Sequence, residues 1–284
     1  MIAANVQAGR FLQKHRIPGL FRVHARPDPD RFGELREFLT TLGLKVPHPD
    51  HVEPRHFNQL LRQVADRPDA QTISVAMLRS MMHAEYTPKN IGHFGLALET
   101  YAHFTSPIRR YPDLLVHRAI RHIVAGGKAG NYRYSPGDME RLGAISSAHE
   151  RRAEEATRDV EARLKCQFMQ DKVGGEFEGI VTGVTNFGVF VQLLEPQVDG
   201  LVHVTSLEND YYRFDAGALA LIGERTGKRY TLGDRLRVIV ARVDLDSRRI
   251  DFRLSGSDAA AAQQTQGRRS SRAGRPGSRS RRQK

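Results

Sequence analysis

Between Gly92 and Ile120 the chain reads GHFGLALETYAHFTSPIRRYPDLLVHRAI, and this stretch gathers side chains suited to one kind of chemistry. Thr105 and Ser106 can cap a helical turn, Pro107 fits its first position, and Arg109 and Arg110 follow within that turn. Free backbone amides and planar guanidinium forks would then converge, which matches the oxygens of a phosphate group. Tyr111 follows, and Pro112 with Asp113 restarts a helix on which Asp113, His117 and Arg121, spaced by four, share a face. Asp113 and His117 have two readings. They form a structural hydrogen-bonded pair that orients the arginines, which we prefer, or His117 does acid-base work.

Holding metal ions that could activate a water takes several converging carboxylates. The nearest acidic runs are Asp28 with Asp30, on an apparent loop, and Glu154 with Glu155, on a charged helix. Neither reads as a metal site. The lone cysteine, Cys166, has no second thiol for a disulfide or a shared metal and is expected to be a packed core residue.

The elements that must position these groups fall into three stretches. Residues 1–172 read mainly as helices. Phe32, Leu35, Phe38, Leu39 and Leu42 recur at helical spacing with Gly43 as a stop. HFNQLLRQVADRP gives a second helix and AQTISVAMLRSMMHAEY a third, with Met77, Met81 and Met82 as core filling. AISSAHERRAEEATRDVEARLKCQFM gives a long one laced with Glu and Arg three and four apart. The first helix, with Ile2, Val6 and Phe11, is already apolar at residue 1 and has no polar cap before it. That reads as a chain entered part way through a domain, the alternative being a genuine start whose end frays.

Over residues 173–255 the period changes to that of strands. GEFEGIVTGVT, FGVFVQLL, DGLVHVTSL, RLRVIVARVD and RIDFRLS are short β-rich runs, and Leu236, Val238 and Val240 alternate with Arg235, Arg237 and Ile239. Five strands in this space predict a small closed barrel of the OB kind, with NDYYRFDAGALALIGERTG as a loop carrying a short helical insert. The fold class expected is α+β, a mainly helical part followed by this barrel.

The net charge is +12, and residues 256–284 hold eight basic residues against one acid, so +7 of it sits there. That last stretch has no aromatic or β-branched run and is expected to be disordered. It reads either as a basic arm that holds RNA or ribosomal surfaces by counterion release, or as a solubility tail. No apolar run approaches the ~20 residues of a spanning helix, and the amino terminus does not read as a signal peptide. No membrane partner is expected, and the cytoplasm is the default compartment.

At YAHFTSPIRRYPD and HRAI the sequence resembles the RNB family of exoribonucleases. MIAANV, FRVHARPDPD and ERRAEEATRDVEARLKCQFM extend the likeness over residues 1 to about 255. The resemblance implies processive 3′ to 5′ degradation of RNA to nucleoside 5′-monophosphates with Mg²⁺. It implies that Arg109 contacts the phosphates beside the scissile bond as a catalytic group. Arg110 and Tyr111 are then RNA contacts, and Thr105, Ser106, Pro107, Asp113 and His117 support the motif. The family's aspartate cluster and its cold-shock-like domains lie upstream of the helix that opens this chain. The chain alone is therefore expected to bind no complete magnesium site and to lack cutting activity, with association with an upstream fragment as one route to a complete enzyme.

TNFGVFVQL and DGLVHVTSL resemble the S1 type of RNA-binding domain. By that likeness Phe187, Phe190 and His203 form a platform on which bases stack, each worth roughly 1 to 3 kcal/mol. Tyr211, Tyr212 and Arg213 match the family's own version of the domain and would extend it. Arg237, Arg248 and Arg249 are candidates for backbone contact. Each Phe has a core reading beside this one, and His203 a structural one. The partner implied is single-stranded or structured RNA, messenger or ribosomal.

Overall fold

The computed structural model describes residues 1–67, 70–207, 210–215 and 217–256 and divides the chain into two compact units, Met1–Val160 and Glu161–Lys284. The basic stretch expected to be disordered lies, from Ser257 on, outside the described residues. Among the described residues no helix is long and apolar enough to cross a membrane.

The first unit opens with α1 (Ile2–His15), which has no side-chain cap. Its buried face is Asn5, Ala8, Gly9 and Leu12; Ile2 is exposed and Val6 and Phe11 only half-buried, so the apolar stripe lies differently from the expected one. β1 (Phe21–Val23) follows, then α2 (Pro29–Thr41), α3 (Pro54–Val64) and α4 (Ala70–Ser80). Phe32, Leu35, Phe38 and Leu39 are the buried face of α2. Asp28 and Asp30 are not on a loop. Asp28 caps α2, accepting from the amides of Asp30 and Arg31, and Asp30 stands in the first turn, where a carboxylate favours the positive helix end. Phe57 of α3 bridges Phe32 at 6.0 Å and Phe94 edge-on at 5.6 Å.

The third predicted helix is cut short. It ends at Ser80, and Glu85–Thr87 becomes β2, antiparallel to β1 with Arg22 opposite Tyr86. Strand pairing with a partner some sixty residues away, together with burial of Tyr86, overrides the helical spacing there. Met77 is core as expected, but Met82 is 38% exposed.

Two further helices follow: α5 (Tyr111–Val124), packed on α1, and the long α6 (Pro136–Gln170), which starts eight residues before the predicted helix. Ser135 and Asp138 exchange hydrogen bonds that satisfy amides at the α6 start, which explains the earlier beginning. Gly143 lets α6 approach β2, since a Cβ there would lie 2.5 Å from the Tyr86 carbonyl oxygen. One core joins Leu12, Phe21, Val23, Val116 and Ala119; another joins Leu20, Tyr86, Leu115 and Met139.

The second unit begins inside α6, whose last turns contribute Cys166 and Met169 to its core. The five predicted strands are present as β3 (Glu176–Thr185), β4 (Gly188–Leu193), β5 (Asp199–His203), β9 (Arg235–Asp244) and β10 (Arg249–Leu254). They close a barrel in the order β10-β5-β4-β3-β9, with β10 parallel to β5 and the other pairs antiparallel. Val181, Val189, Val191, Leu193, Val202, Val238, Val240 and Phe252 fill it.

The loop with a helical insert is absent. In its place β6 (Tyr212–Asp215), β7 (Ala220–Gly223) and β8 (Arg229–Thr231) form a three-stranded antiparallel sheet. The Ala and Leu content of ALALIG favours helix locally, but burying Leu221 and Tyr230 against the barrel core outweighs the few tenths of a kcal/mol per residue that propensity supplies.

Candidate nucleic-acid interface

In the first unit the loop before α5 is held from three sides. The amide of Asn5, buried in α1, donates to the Tyr101 hydroxyl at 2.9 Å and accepts from the Phe104 backbone at 3.1 Å. His117 Nε2 lies 2.8 Å from the Phe104 carbonyl, which can only accept, so that nitrogen carries the proton; the imidazole stacks on the Phe104 ring at 4.1 Å. Asp113, with no exposed surface, receives the Arg110 fork at 2.8 and 2.9 Å and the Ser106 amide at 2.8 Å.

The cap at Thr105 and Ser106 does not form. Pro107 to Arg109 make a single turn closed by the Arg109 and Arg110 amides on the Ser106 carbonyl, and α5 starts only at Tyr111 with Arg110 as its cap residue. Those amides and that of Ser106 are consumed internally, so these three donors are not free for a ligand. The reason is Asp113, which captures the Ser106 amide and fixes the turn. Asp113 and His117 also do not pair; each grips the loop separately.

Two adjacent arginines are thereby separated by role. Arg110 is locked to Asp113 with its side chain 19% exposed. Arg109 is exposed, and no carboxylate pairs with it among the described residues. Beside it Ile108 is fully exposed and Tyr111 is 45% exposed. A guanidinium free of acids on a braced turn can take a phosphate bidentately.

Behind the turn lies a group that sequence reading missed. The Tyr86 hydroxyl meets His103 Nδ1 at 2.9 Å, and Arg22 stacks over Tyr86 while pairing with Glu150. Burial, then the charges of Arg110 and Arg22, hold the His103 pKa down at about 4, and burial pushes Tyr86 up to about 12. Burial, with His24 and Arg22 adding, likewise holds His93 at about 4. Asn5 and Arg22 stood within the quoted runs; the one available signal was a polar residue at core spacing with Ala8 and Leu12.

The described residues of this turn do not fit a magnesium ion. Among the described residues no three His, Cys, Asp or Glu converge as metal ligands, and the Asp113 oxygens are already taken.

In the second unit, strand alternation sends Val189 and Val191 inward and Phe190 outward on β4, and Val202 inward and His203 outward on β5. Gly188 sits opposite His203, where a Cβ would collide with the Val202 carbonyl. This leaves Phe187, Phe190 and His203 on one outer face. The two rings are 45% and 36% exposed and meet edge to face at 5.9 Å. The His203 ring is set by Thr205, whose hydroxyl is 2.8 Å from Nδ1. One step beyond the Phe252–Val202 pair, the exposed Arg253 flanks His203, a residue sequence reading passed over although RIDFRL alternates plainly.

The other predicted residues distribute differently. Tyr211 is 84% exposed and Arg213 faces out on β6. Tyr212 turns inward, packing on Tyr230 at 5.6 Å and on the barrel core, so it does not extend the platform. Arg237 lies 3.5 Å from Glu178, both exposed. Arg249, at the start of β10, stands at the far end of that strand from Arg253, and Arg248 occupies a positive-φ turn.

One unit thus presents an arginine-bearing turn, and the other an OB-type barrel with an outward aromatic face. Residues 1–126 match the RNB domain family and residues 170–255 the S1 RNA binding domain family, so the chain carries one stretch similar to each. The particular protein it resembles is ribonuclease R. It is 52% identical to ribonuclease R of Escherichia coli K12 over 268 residues, which is 92% of this chain and 33% of that protein. Against ribonuclease R of Vibrio cholerae the identity is 47% over 89% of this chain and 32% of the relative. The chain thus spans about a third of the curated relatives it matches. Mycoplasma genitalium RNase R, solved free and with ribose-methylated single-stranded RNA, superposes with a TM-score of 0.83 at 26% identity in both states, over 90% of this chain and 40% of that one.

Proposed function

We propose that the chain is the RNA-gripping portion of a 3′ to 5′ exoribonuclease of the ribonuclease R type, a hydrolase that releases nucleoside 5′-monophosphates. The observation that carries this is the division between Arg110, spent on the buried Asp113, and Arg109, presented free of acids on a rigid turn. Arg109 is suited to stabilise charge on the phosphoryl oxygens, as a preorganised donor at the reacting phosphate should. Phe187, Phe190 and His203 offer faces for stacking bases, and Arg213 and Arg253 cations for the backbone. Magnesium, generally required by RNB enzymes, would supply the activated water, and the described residues offer no cluster of carboxylates to hold it. The ligand is RNA, single-stranded or structured. The basic residues beyond Gly256 would add counterion release and could engage ribosomal RNA, and the compartment proposed is the cytoplasm.

Two measurements on 5′-labelled single-stranded RNA test this. Binding should be tight, weakened by Phe187→Ala with Phe190→Ala, and insensitive to chelation of divalent ions. Incubation with Mg²⁺ should leave the RNA full length, whereas an intact homologue shortens it. Absence of binding would sink the reading, and shortening by the chain alone would sink the part that assigns the metal ligands elsewhere.

A further inference from the structure

Beyond the Arg109 turn, and resting on the RNA-binding reading, we infer that the outer face of α5 carries a second groove for the RNA phosphate backbone. An open cavity of about 1100 Å³ lies there, and Phe104, Pro107, Arg118, Arg121, His122 and Arg133 are among its walls. Pro107 belongs to the turn that carries Arg109, so the cavity reaches that turn and runs along α5.

The charge of this wall is one-sided. From Leu114 to Gly137 the sequence contains Arg118, Arg121, Lys128 and Arg133 and no acidic residue. The flanking acids are occupied, Asp113 by Arg110 and Asp138 by Ser135 and Arg141. Among the described residues no carboxylate pairs with any of the four cations. Arg118 is held instead by neutral partners, donating to the Tyr134 hydroxyl at 2.8 Å and the Tyr111 hydroxyl at 3.3 Å. Arg133 lies over the Tyr134 ring at 4.8 Å. Tyrosines fix guanidinium groups in place without cancelling their charge, so the wall stays positive and ordered, and loses little entropy on binding. Helical spacing puts Arg118, Arg121, His122 and Ala125 on one stripe, which is a track and not a point. A repeating anion fits a track. The half-exposed Tyr111 ring, with Arg118 over it at 5.7 Å, gives a base something to lie on beside the groove.

The test is an anisotropy titration of the full chain with fluorescein-labelled oligoadenylate at several salt concentrations. Arg121→Ala with Arg133→Ala removes two exposed cations that make no internal hydrogen bond. The slope of log affinity against log salt should become shallower by about 1.4, since each single-strand phosphate contact contributes about 0.7. Arg36→Ala with Arg62→Ala, exposed cations on α2 and α3, is the control and should leave the slope as it was. Equal falls in both pairs would reduce the groove to generic charge and overturn the inference. An unchanged slope with the groove pair would also overturn it. If that pair instead lost binding to polyglutamate, the groove would belong to an acidic polypeptide. Failure of the unsubstituted chain to bind RNA at all is a different result, one that removes the proposed function itself.

Discussion

Because the Asp113 carboxylate has no exposed surface and both its oxygens are engaged, taking away Arg110 strands a charge in a low-dielectric site, a loss of about 3–5 kcal/mol. Arg110→Ala should therefore lower the melting temperature sharply, while Arg109→Ala, one residue away, leaves it in place and weakens RNA binding. In an enzyme reassembled to full length, Arg109→Ala should abolish cutting. Calorimetry on the two variants separates the roles, and equal losses of stability would refute the division. The neighbouring imidazoles set a second expectation. His93 and His103 are held at about 4 against an ordinary 6.5, so between those values the unfolded chain binds protons that the folded one refuses. Stability is then full above about pH 6.5, falls as pH drops toward 4, and levels off below. A melting series from pH 7 to pH 4 checks it, and the slope should flatten in His103→Gln; a slope identical to the parent's would assign the acid sensitivity elsewhere.

The hairpin of β4 and β5 is the element on which the aromatic platform depends, and Gly188 is its narrowest point. Any Cβ there drives into the Val202 carbonyl, so Gly188→Val should cost on the order of 1–3 kcal/mol and splay the strand end that carries Phe187 and His203. Urea unfolding and RNA titration should both register it; unchanged RNA affinity would mean the platform is not at that end. The barrel was legible in the sequence because its strands alternate with a period of two and are punctuated by turn residues. The sheet of β6, β7 and β8 was not, since ALALIG carries helical composition and its partners, RYT and YRFD, are found only through pairing. The same competition explains the α4 end and β2. At the candidate site the residue types were readable from HFTSPIRRYPD, but their division of labour was not. Which arginine Asp113 would take, and that the Ser106 amide would go with it, depends on a turn whose geometry only the folded loop defines.

Taken whole, the molecule distributes its charge unevenly, and that unevenness decides how it should respond to salt. The net charge is +12, with the stretch after Gly256 carrying most of it, while the described residues pair several cations with acids, as in Arg237 with Glu178 and Lys165 with Asp199. Exposed pairs of this sort contribute little to stability, but they do remove cations from competition for phosphate. RNA affinity should then have two separable parts: a salt-insensitive part from stacking on Phe187 and Phe190, and a salt-dependent part from free arginines. Ending the chain after Gly256 removes eight basic residues, so the salt slope should fall by as much as about 5.6 if every one meets a phosphate of single-stranded RNA. Affinity at high salt should barely change, because ring stacking survives there. A filter-binding series from low to high salt on the full and shortened chains measures both quantities. A slope untouched by the truncation would make those residues a solubility tail, and would leave Arg109, Arg213, Arg253 and the α5 groove as the source of whatever salt dependence persists.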